Sequence, residues 1–125
     1  MKQLKGVEKA LDNAWSKLVK LRAGNCCEYC GKTSQLNSHH IYSRSNRSVR
    51  WDVLNGVCLC VAHHTFSSKF SAHKAPVEFT EWLYKYKGTE FMDRLRLKAN
   101  QVSKLHKFEK ELLLNELKKE INSLT

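Results

Sequence analysis

Two short pairs of metal-binding residue types, thirty residues apart, constrain this chain more than any other feature. The first pair is Cys27-x-x-Cys30, followed by Gly31, and the second is Cys60-x-x-His63. Two such pairs supply the four ligands of a tetrahedral zinc site, and the glycine fits a tight turn that points backbone N–H groups at sulfur. Redox enzymes also carry Cys-x-x-Cys, but in α/β chains, and nothing in this sequence reads as βαβ. The pattern predicts a fold that is held together by zinc.

The cysteine count also favours metal binding over disulfide bonds. The chain has five cysteines, an odd number, in two groups: Cys26, Cys27, Cys30, Cys58 and Cys60. In a reducing compartment, clustered cysteines bind metal more often than they pair. Cys26 offers an alternative spacing to Cys30, but the two-residue spacing from Cys27 is the commoner zinc geometry.

Two pairs of adjacent histidines lie close to these ligands. They are His39-His40 and His63-His64. Residues 36–42 suit a short strand with alternating faces, which would turn His39 and His40 to opposite sides. If both served one site, the strand would need a twist or a bulge, as is common beside active sites.

The Cys27–Gly31 turn, called the knuckle below, begins the central unit. The segments around the histidines predict the order knuckle, strand, loop, strand, helix. Asn55-Gly56 is a strong turn signal before a second strand over 57–59. A helix is expected to begin near Val61, to carry His64 and to end near Ala72.

Apolar periodicity predicts helices on both sides of this central unit. Residues 1–23 carry an amphipathic stripe that ends before Gly24. The stripe consists of Leu4, Val7, Leu11, either Ala14 or Trp15, Leu18 and Leu21. Pro76 fits the first turn of another helix, a further helix is expected from residue 90 to about 99, and a lysine-rich amphipathic segment covers 102–124. That final helix either packs back on the first or pairs with a second chain as a homodimer.

The whole chain is therefore predicted to be one α+β domain, mostly helical. Its expected parts are an N-terminal helix (1–23), a metal-binding centre (24–74) and C-terminal helices (75–125). No apolar run is long enough for a membrane-spanning helix, and the first residues lack the apolar core of a signal peptide. We expect a cytoplasmic protein with no membrane partner.

The charge of the chain favours a polyanionic partner. Lysine and arginine number 22 against 12 acidic residues, a formal net charge of +10. In a chain of this size that excess points to nucleic acid, although a merely basic, solvated surface is the alternative. The candidate phosphate contacts are Arg44, Arg47 and Arg50 in the loop 43–50, with Lys69 and Lys74.

These residues together resemble the HNH endonuclease family, particularly its small phage-encoded members with a ββα-metal fold. The resemblance covers about residues 14–83. It rests on Cys27-Glu-Tyr-Cys30, His39-His40-Ile41, Asn55 and Leu59-Cys60-Val-Ala-His63-His64. The family commonly has a cysteine where this chain has His63, but a site of three cysteines and one histidine is chemically acceptable for zinc.

The resemblance implies a role for each matching residue. His40 would be the general base that activates water, and Asn55 would pin the loop and orient that base. His39 and His64 would hold the catalytic divalent metal, which could be Mg²⁺, Mn²⁺, Ni²⁺ or Zn²⁺. The structural zinc would be held by Cys27, Cys30, Cys60 and His63. Cys58 would then be a buried strand residue and Cys26 a spare thiol.

The implied function is a metal-dependent DNA endonuclease that hydrolyses phosphodiester bonds by nicking or double-strand cleavage. A neutral imidazole can take a proton from water near pH 7, because its unperturbed pKa is about 6.5. The family setting is phage genome packaging, recombination or homing, in the host cytoplasm and with the matching phage proteins as partners. The alternatives are a non-catalytic zinc-stabilised DNA-binding module and a zinc-organised protein-interaction domain.

Individual histidines also allow other interpretations. His39 could be the base, with His40 only packing in the strand, and His64 could be an ordinary helix residue. His73 could be a third metal ligand, a contact to DNA phosphate or simply an exposed side chain.

Overall fold

Two short strands lie between helices from both ends of the chain. The computed structural model describes residues 2–102 and 104–125, and side chains from residue 6 onward. The elements are α1 (Lys2–Arg22), β1 (Leu36–His40), β2 (Gly56–Cys60), α2 (Pro76–Lys87), α3 (Thr89–Ala99) and α4 (Lys107–Leu124). A 3₁₀ turn over Val53–Asn55 precedes β2 and a π-helical turn over Ala62–Phe66 follows it. The α+β class predicted from the sequence is confirmed.

Helix α1 forms where the apolar stripe predicted it and packs against the C-terminal helix. Leu11 and Leu18 are fully buried, in one cluster with Leu117 and Ile121 of α4. The side chain of Leu4, also predicted for this stripe, lies outside the described residues. Helix α4 therefore packs back on α1, which was the first of the two arrangements that the sequence left open.

The two strands pair antiparallel in a regular register. His39 lies opposite Val57 and His40 opposite Gly56. Side chains alternate along a regular strand, so the two adjacent histidines point to opposite faces, and no bulge interrupts these described strands. His40 faces α1 and His39 faces α2, as its ring contact with Phe79 shows.

Strand β2 is buried along its whole length because α1 covers one face and α2 the other. Val57 and Leu59 pack with Phe79 and Leu83 of α2, and Cys58 packs with Trp15 of α1. The burial of Cys58 agrees with its expected place in the strand.

Gly56 allows α1 to approach the sheet closely. A Cβ atom at this position would collide with the Val19 side chain and would lie 2.9 Å from Cζ2 of Trp15. The absence of a side chain at residue 56 is therefore what lets Trp15 reach His40 across the pair.

The helix predicted from Val61 to Ala72 is wrong in extent. After the single π-helical turn, the backbone N–H of Ser67 donates to the carbonyl of Ala62 and the chain leaves the helical path. It then folds back, because Ala72 N–H donates to the His63 carbonyl at 2.9 Å and His73 N–H to the His64 carbonyl at 3.1 Å. Backbone bonds to the turn itself thus replace the continuing helix.

Helices α2 and α3 close the remaining side of the core. Pro76 is the first residue of α2, as predicted, and Met92 of α3 packs against Leu83 and Phe79 in the shared core. Across residues 2–102 and 104–125, none of the helices combines the length and apolar character that crossing a membrane requires.

Candidate metal centres and the adjoining cleft

The four predicted zinc ligands come together at one end of the sheet. The ligand atoms of Cys27, Cys30, Cys60 and His63 all lie within 4.8 Å of one another. The Cys30 and Cys60 sulfurs are 3.8 Å apart, and Nδ1 of His63 lies 3.2 Å from the Cys60 sulfur. Tetrahedral zinc with bonds of about 2.3 Å to sulfur places two thiolates about 3.8 Å apart. The cluster could therefore bind a metal ion such as zinc.

The turn around Cys27 prepares its sulfur for metal. Gly31 has a φ of 81°, and its N–H closes the turn on the Cys27 carbonyl at 2.8 Å. Burial opposes ionisation of the Cys27 thiol, but backbone N–H groups of Cys30, Cys60 and Tyr29 outweigh it and lower the pKa. The thiolate, which is the form that binds metal, is favoured.

Glu28 fastens this turn to the rest of the core, a contact that sequence reasoning did not find. Its carboxylate accepts hydrogen bonds from Cys58 N–H at 2.7 Å and from the Tyr86 hydroxyl at 2.8 Å. Lys87 adds an ion pair at 3.4 Å. The knuckle, β2 and α2 are therefore joined through one side chain.

A second cluster consists of three histidines on the α2 side of the sheet. Nε2 of His64 lies 3.1 Å from Nδ1 of His39 and 3.1 Å from Nε2 of His73. Ligands of one ion with bonds of 2.0–2.1 Å to nitrogen are separated by about 3.0–3.4 Å. Both distances from His64 fit a shared metal ion, and the three ligand atoms lie within 4.8 Å of one another, so the group could hold one.

Two imidazoles of this cluster, those of His39 and His64, favour their neutral forms. Burial, followed by the neighbouring His64 and His73, lowers the pKa of His39 to about 3. Burial, followed by His73, also lowers the pKa of His64. Neutral imidazole is the form that coordinates metal, so little proton competition opposes binding near pH 7.

His73 reaches this cluster because the chain folds back after the π-helical turn. Its backbone N–H bond to His64 sets the two residues side by side, and the buried Ser71 hydroxyl accepts from Lys74 N–H at 3.0 Å. The sequence makes His73 a candidate contact to DNA phosphate and leaves a metal role open. Its ring lies with the candidate metal ligands.

His40 is held in one tautomer on the other face of β1. Its ring stacks on Trp15 with centroids 3.7 Å apart, and its Nε2 lies 2.9 Å from the Arg50 carbonyl oxygen. A carbonyl oxygen only accepts, so Nε2 carries the proton and Nδ1 remains an acceptor. Burial lowers the pKa of His40, against the opposing effect of that hydrogen bond.

Asn55 is fully buried and closes the loop between the strands. Its Oδ1 accepts from Tyr42 N–H at 2.8 Å, and its Nδ2 donates to the carbonyls of Tyr42 at 3.0 Å and Val49 at 3.2 Å. Losing any of these hydrogen bonds would leave a buried polar group unpaired. The loop that ends in Arg50 is therefore fixed to the start of β2.

The predicted arginine contacts are paired with acidic residues of α1. Asp12 accepts from Arg50 at 2.8 and 3.1 Å, from the Trp51 indole at 2.8 Å and from Arg44 at 3.3 Å. Burial opposes ionisation of Asp12, but the bonds from Arg50 and Trp51 lower its pKa overall. The Arg50 side chain is only 13% exposed, whereas that of Arg44 is 65% exposed.

Glu8, one turn before Asp12 on α1, holds the third arginine. Its carboxylate pairs with Arg47 at 3.0 Å and with Lys110 of α4 at 2.7 Å. These two hydrogen bonds lower the pKa of Glu8 from 4.5 to about 2. Sequence reasoning missed Glu8 and Asp12, and their four-residue spacing opposite an arginine-rich loop was the available signal.

A cleft of about 670 Å³ opens between the three histidines and α2. His39, His40, His64, His73 and Arg44 line it on one side, and Phe79, Leu83 and Tyr84 line it on the other. The remaining predicted DNA contacts, Lys69 and Lys74, are exposed. Comparisons of this chain with models of protein families, with curated proteins and with solved structures return no match.

Proposed function

We propose that this protein is a metal-dependent endonuclease of the HNH type, which hydrolyses DNA phosphodiester bonds by nicking or double-strand cleavage. One observation carries the proposal. His40 leaves β1 on the opposite face from the three histidines, yet it also lines their cleft, and its Nδ1 remains a proton acceptor. Hydrolysis of a phosphodiester needs a base for the attacking water and positive charge at the phosphate. His40 would supply the base, and a metal ion held by the three histidines would supply the charge.

The histidine cluster would hold the catalytic ion through His39, His64 and His73. Three imidazoles favour transition metals such as Mn²⁺, Ni²⁺ or Zn²⁺, while Mg²⁺ prefers oxygen ligands. When bound, the ion stabilises the negative charge that develops on the phosphate during hydrolysis.

The other residues position the reaction. His40 takes the proton of water at Nδ1, Trp15 keeps its ring in place, and Asn55 fixes the loop whose carbonyl binds Nε2. The exposed guanidinium of Arg44 lies beside the histidines, where it can contact a phosphate without moving Arg50.

The fold supports the same family. We infer that β1, β2 and the π-helical turn are the ββα-metal core, with the turn in place of a longer helix, and that Cys27, Cys30, Cys60 and His63 hold its structural zinc. The +10 charge fits a DNA substrate. The resemblance to phage-type members favours a role in genome packaging, recombination or homing. A non-catalytic zinc-stabilised DNA-binding module would also use the charge and the zinc, but it gives the geometry of His40 no role.

The test is incubation of supercoiled plasmid with the protein and Mg²⁺, Mn²⁺, Ni²⁺ or Zn²⁺. We expect nicked or linear DNA, inhibition by EDTA, and a rate at least about 100-fold lower for His40→Ala, since a general base contributes about 10²–10⁴. His106→Ala is the matched control, because this exposed histidine caps α4 and belongs to neither cluster. Cleavage by His40→Ala at the wild-type rate would refute the base assignment. Binding without cleavage in every metal would favour the DNA-binding module.

A further inference from the structure

The cleft beside the histidines has two chemically different sides. The imidazoles, which could hold a metal ion, and the Arg44 guanidinium form the polar side. The opposite side is formed mainly by α2, where Pro76 is exposed and Tyr84 is half-buried. Phe79, Leu83 and Met92 also line it but are at most 5% exposed, so Pro76 and the Tyr84 ring provide most of its accessible apolar surface.

Contact with this apolar side would not stabilise a phosphate group. Phosphate oxygens need cations or hydrogen-bond donors, and placing them on Pro76 and the Tyr84 ring would remove water without replacing it. The backbone of paired DNA presents phosphates and sugars outward, with its bases stacked inside. Paired DNA bound at the histidines would therefore leave the apolar side empty.

A nucleobase matches both the size and the chemistry of this space. It has flat faces for apolar and aromatic contact and a polar edge for hydroxyl groups, which the exposed Thr80 and the half-buried Tyr84 of α2 supply. The cleft volume of about 670 Å³ lies within the range of roughly 300–1,000 Å³ that is typical of pockets for small organic ligands.

We propose that the cleft binds a nucleobase displaced from the DNA stack, next to the phosphate that is cut. The substrate class is then DNA with an unpaired nucleotide, because freeing a base costs least where it is single-stranded or mismatched. This inference rests on the proposed endonuclease function and adds a substrate preference to it. The base comes either from an already unpaired strand or by flipping out of a duplex.

The test compares three labelled DNA substrates: single-stranded, duplex with one mismatch, and fully paired duplex. Each is also made with an abasic site beside the cut position. Binding is measured by fluorescence anisotropy with His40→Ala, and cleavage with the wild-type protein and Mn²⁺. We expect the unpaired forms to bind and react about tenfold better than paired duplex, and the abasic site to remove that advantage.

Thr80→Phe fills the cleft from the exposed side of α2, and Val77→Phe is the matched control because Val77 is 65% exposed and outside the cleft. Thr80→Phe should weaken binding of unpaired DNA several-fold, whereas Val77→Phe should not. If flipping supplies the base, 2-aminopurine beside the cut in a duplex becomes fluorescent on binding. If an unpaired strand supplies it, paired duplex shows no such change.

The two proposals fail separately. Equal binding of paired and unpaired DNA, unaffected by the abasic site or by Thr80→Phe, overturns the nucleobase site even if cleavage still depends on metal and His40. A preference for unpaired DNA without cleavage in any metal supports the nucleobase site and overturns the endonuclease.

Discussion

Asp12 links helix α1 to the loop that orients His40, and Asp12→Asn tests that link. Asparagine has the same shape but only one acceptor oxygen and no charge. The bond from Arg50 Nη2 at 2.8 Å and the longer bond from Arg44 therefore lose their acceptor. The remaining oxygen still accepts from Arg50 and Trp51, but it no longer carries a negative charge. The weakened contacts lie between side chains that are 28% and 13% exposed, so water replaces them only in part.

The expected loss in the free energy of unfolding is about 2 kcal/mol. A hydrogen bond to a charged group contributes about 1.5–3 kcal/mol, and the pair with exposed Arg44 adds less than about 0.5 kcal/mol. For a chain of this length, that loss lowers Tm by roughly 6–12 °C. Plasmid cleavage well below Tm should also slow by about tenfold or more, because the Arg50 carbonyl no longer holds His40 in place.

Thermal and urea unfolding, followed by circular dichroism, measure the stability change. Glu90→Gln is the matched control, since it also removes one carboxylate charge but from a pair whose side chains are 76% and 80% exposed. That control should change stability by less than about 0.5 kcal/mol. An Asp12→Asn protein as stable as Glu90→Gln would refute the reasoning.

Three further predictions concern metal, pH and packing. Cys30→Ser should lose bound zinc and cooperative unfolding, whereas Cys26→Ser, outside the cluster, should keep both in metal analysis and circular dichroism. Folding lowers the pKa of Glu8 from 4.5 to about 2, so the stability that its carboxylate contributes should be complete above pH 4.5 and decline toward pH 2. Glu8→Gln should flatten this decline in the free energy of unfolding, measured by urea denaturation across that pH range. Gly56→Ala should cost roughly 1–3 kcal/mol and alter Trp15 fluorescence, because the new methyl group collides with α1; an unchanged Tm would contradict this.

The ligands of the cysteine cluster could be predicted from their short spacings in the sequence, but the position of His73 could not. Cys27 with Cys30, and Cys60 with His63, follow local spacing rules that zinc geometry imposes, and the four atoms do meet. His73 follows no such rule, because it lies nine positions after His64. Its position depends on backbone hydrogen bonds that form only after the chain folds back.

The same distinction between local and distant contacts holds for the helices. Helix α1 and the two strands follow from periodicity, while the helix expected over 61–72 fails because tertiary hydrogen bonds compete with local propensity. The sequence predicts that the loop arginines contact DNA phosphate, yet the Arg50 side chain is bound by Asp12, 38 residues away. Only the tertiary fold brings such partners together.

The π-helical turn gives its two histidines to different clusters, so ions bound at both clusters should be thermodynamically linked. His63 belongs to the cysteine cluster and His64 to the histidine cluster, so a single peptide bond joins a ligand of one candidate site to a ligand of the other. Filling the first cluster fixes the backbone that presents His64, which lowers the entropy cost of filling the second. The linkage is reciprocal, so an ion on the histidines should raise the affinity of the cysteine cluster for zinc by the same factor. In a chelator titration, zinc should therefore leave the cysteine cluster at a lower chelator concentration when the histidine cluster is empty than when it is filled.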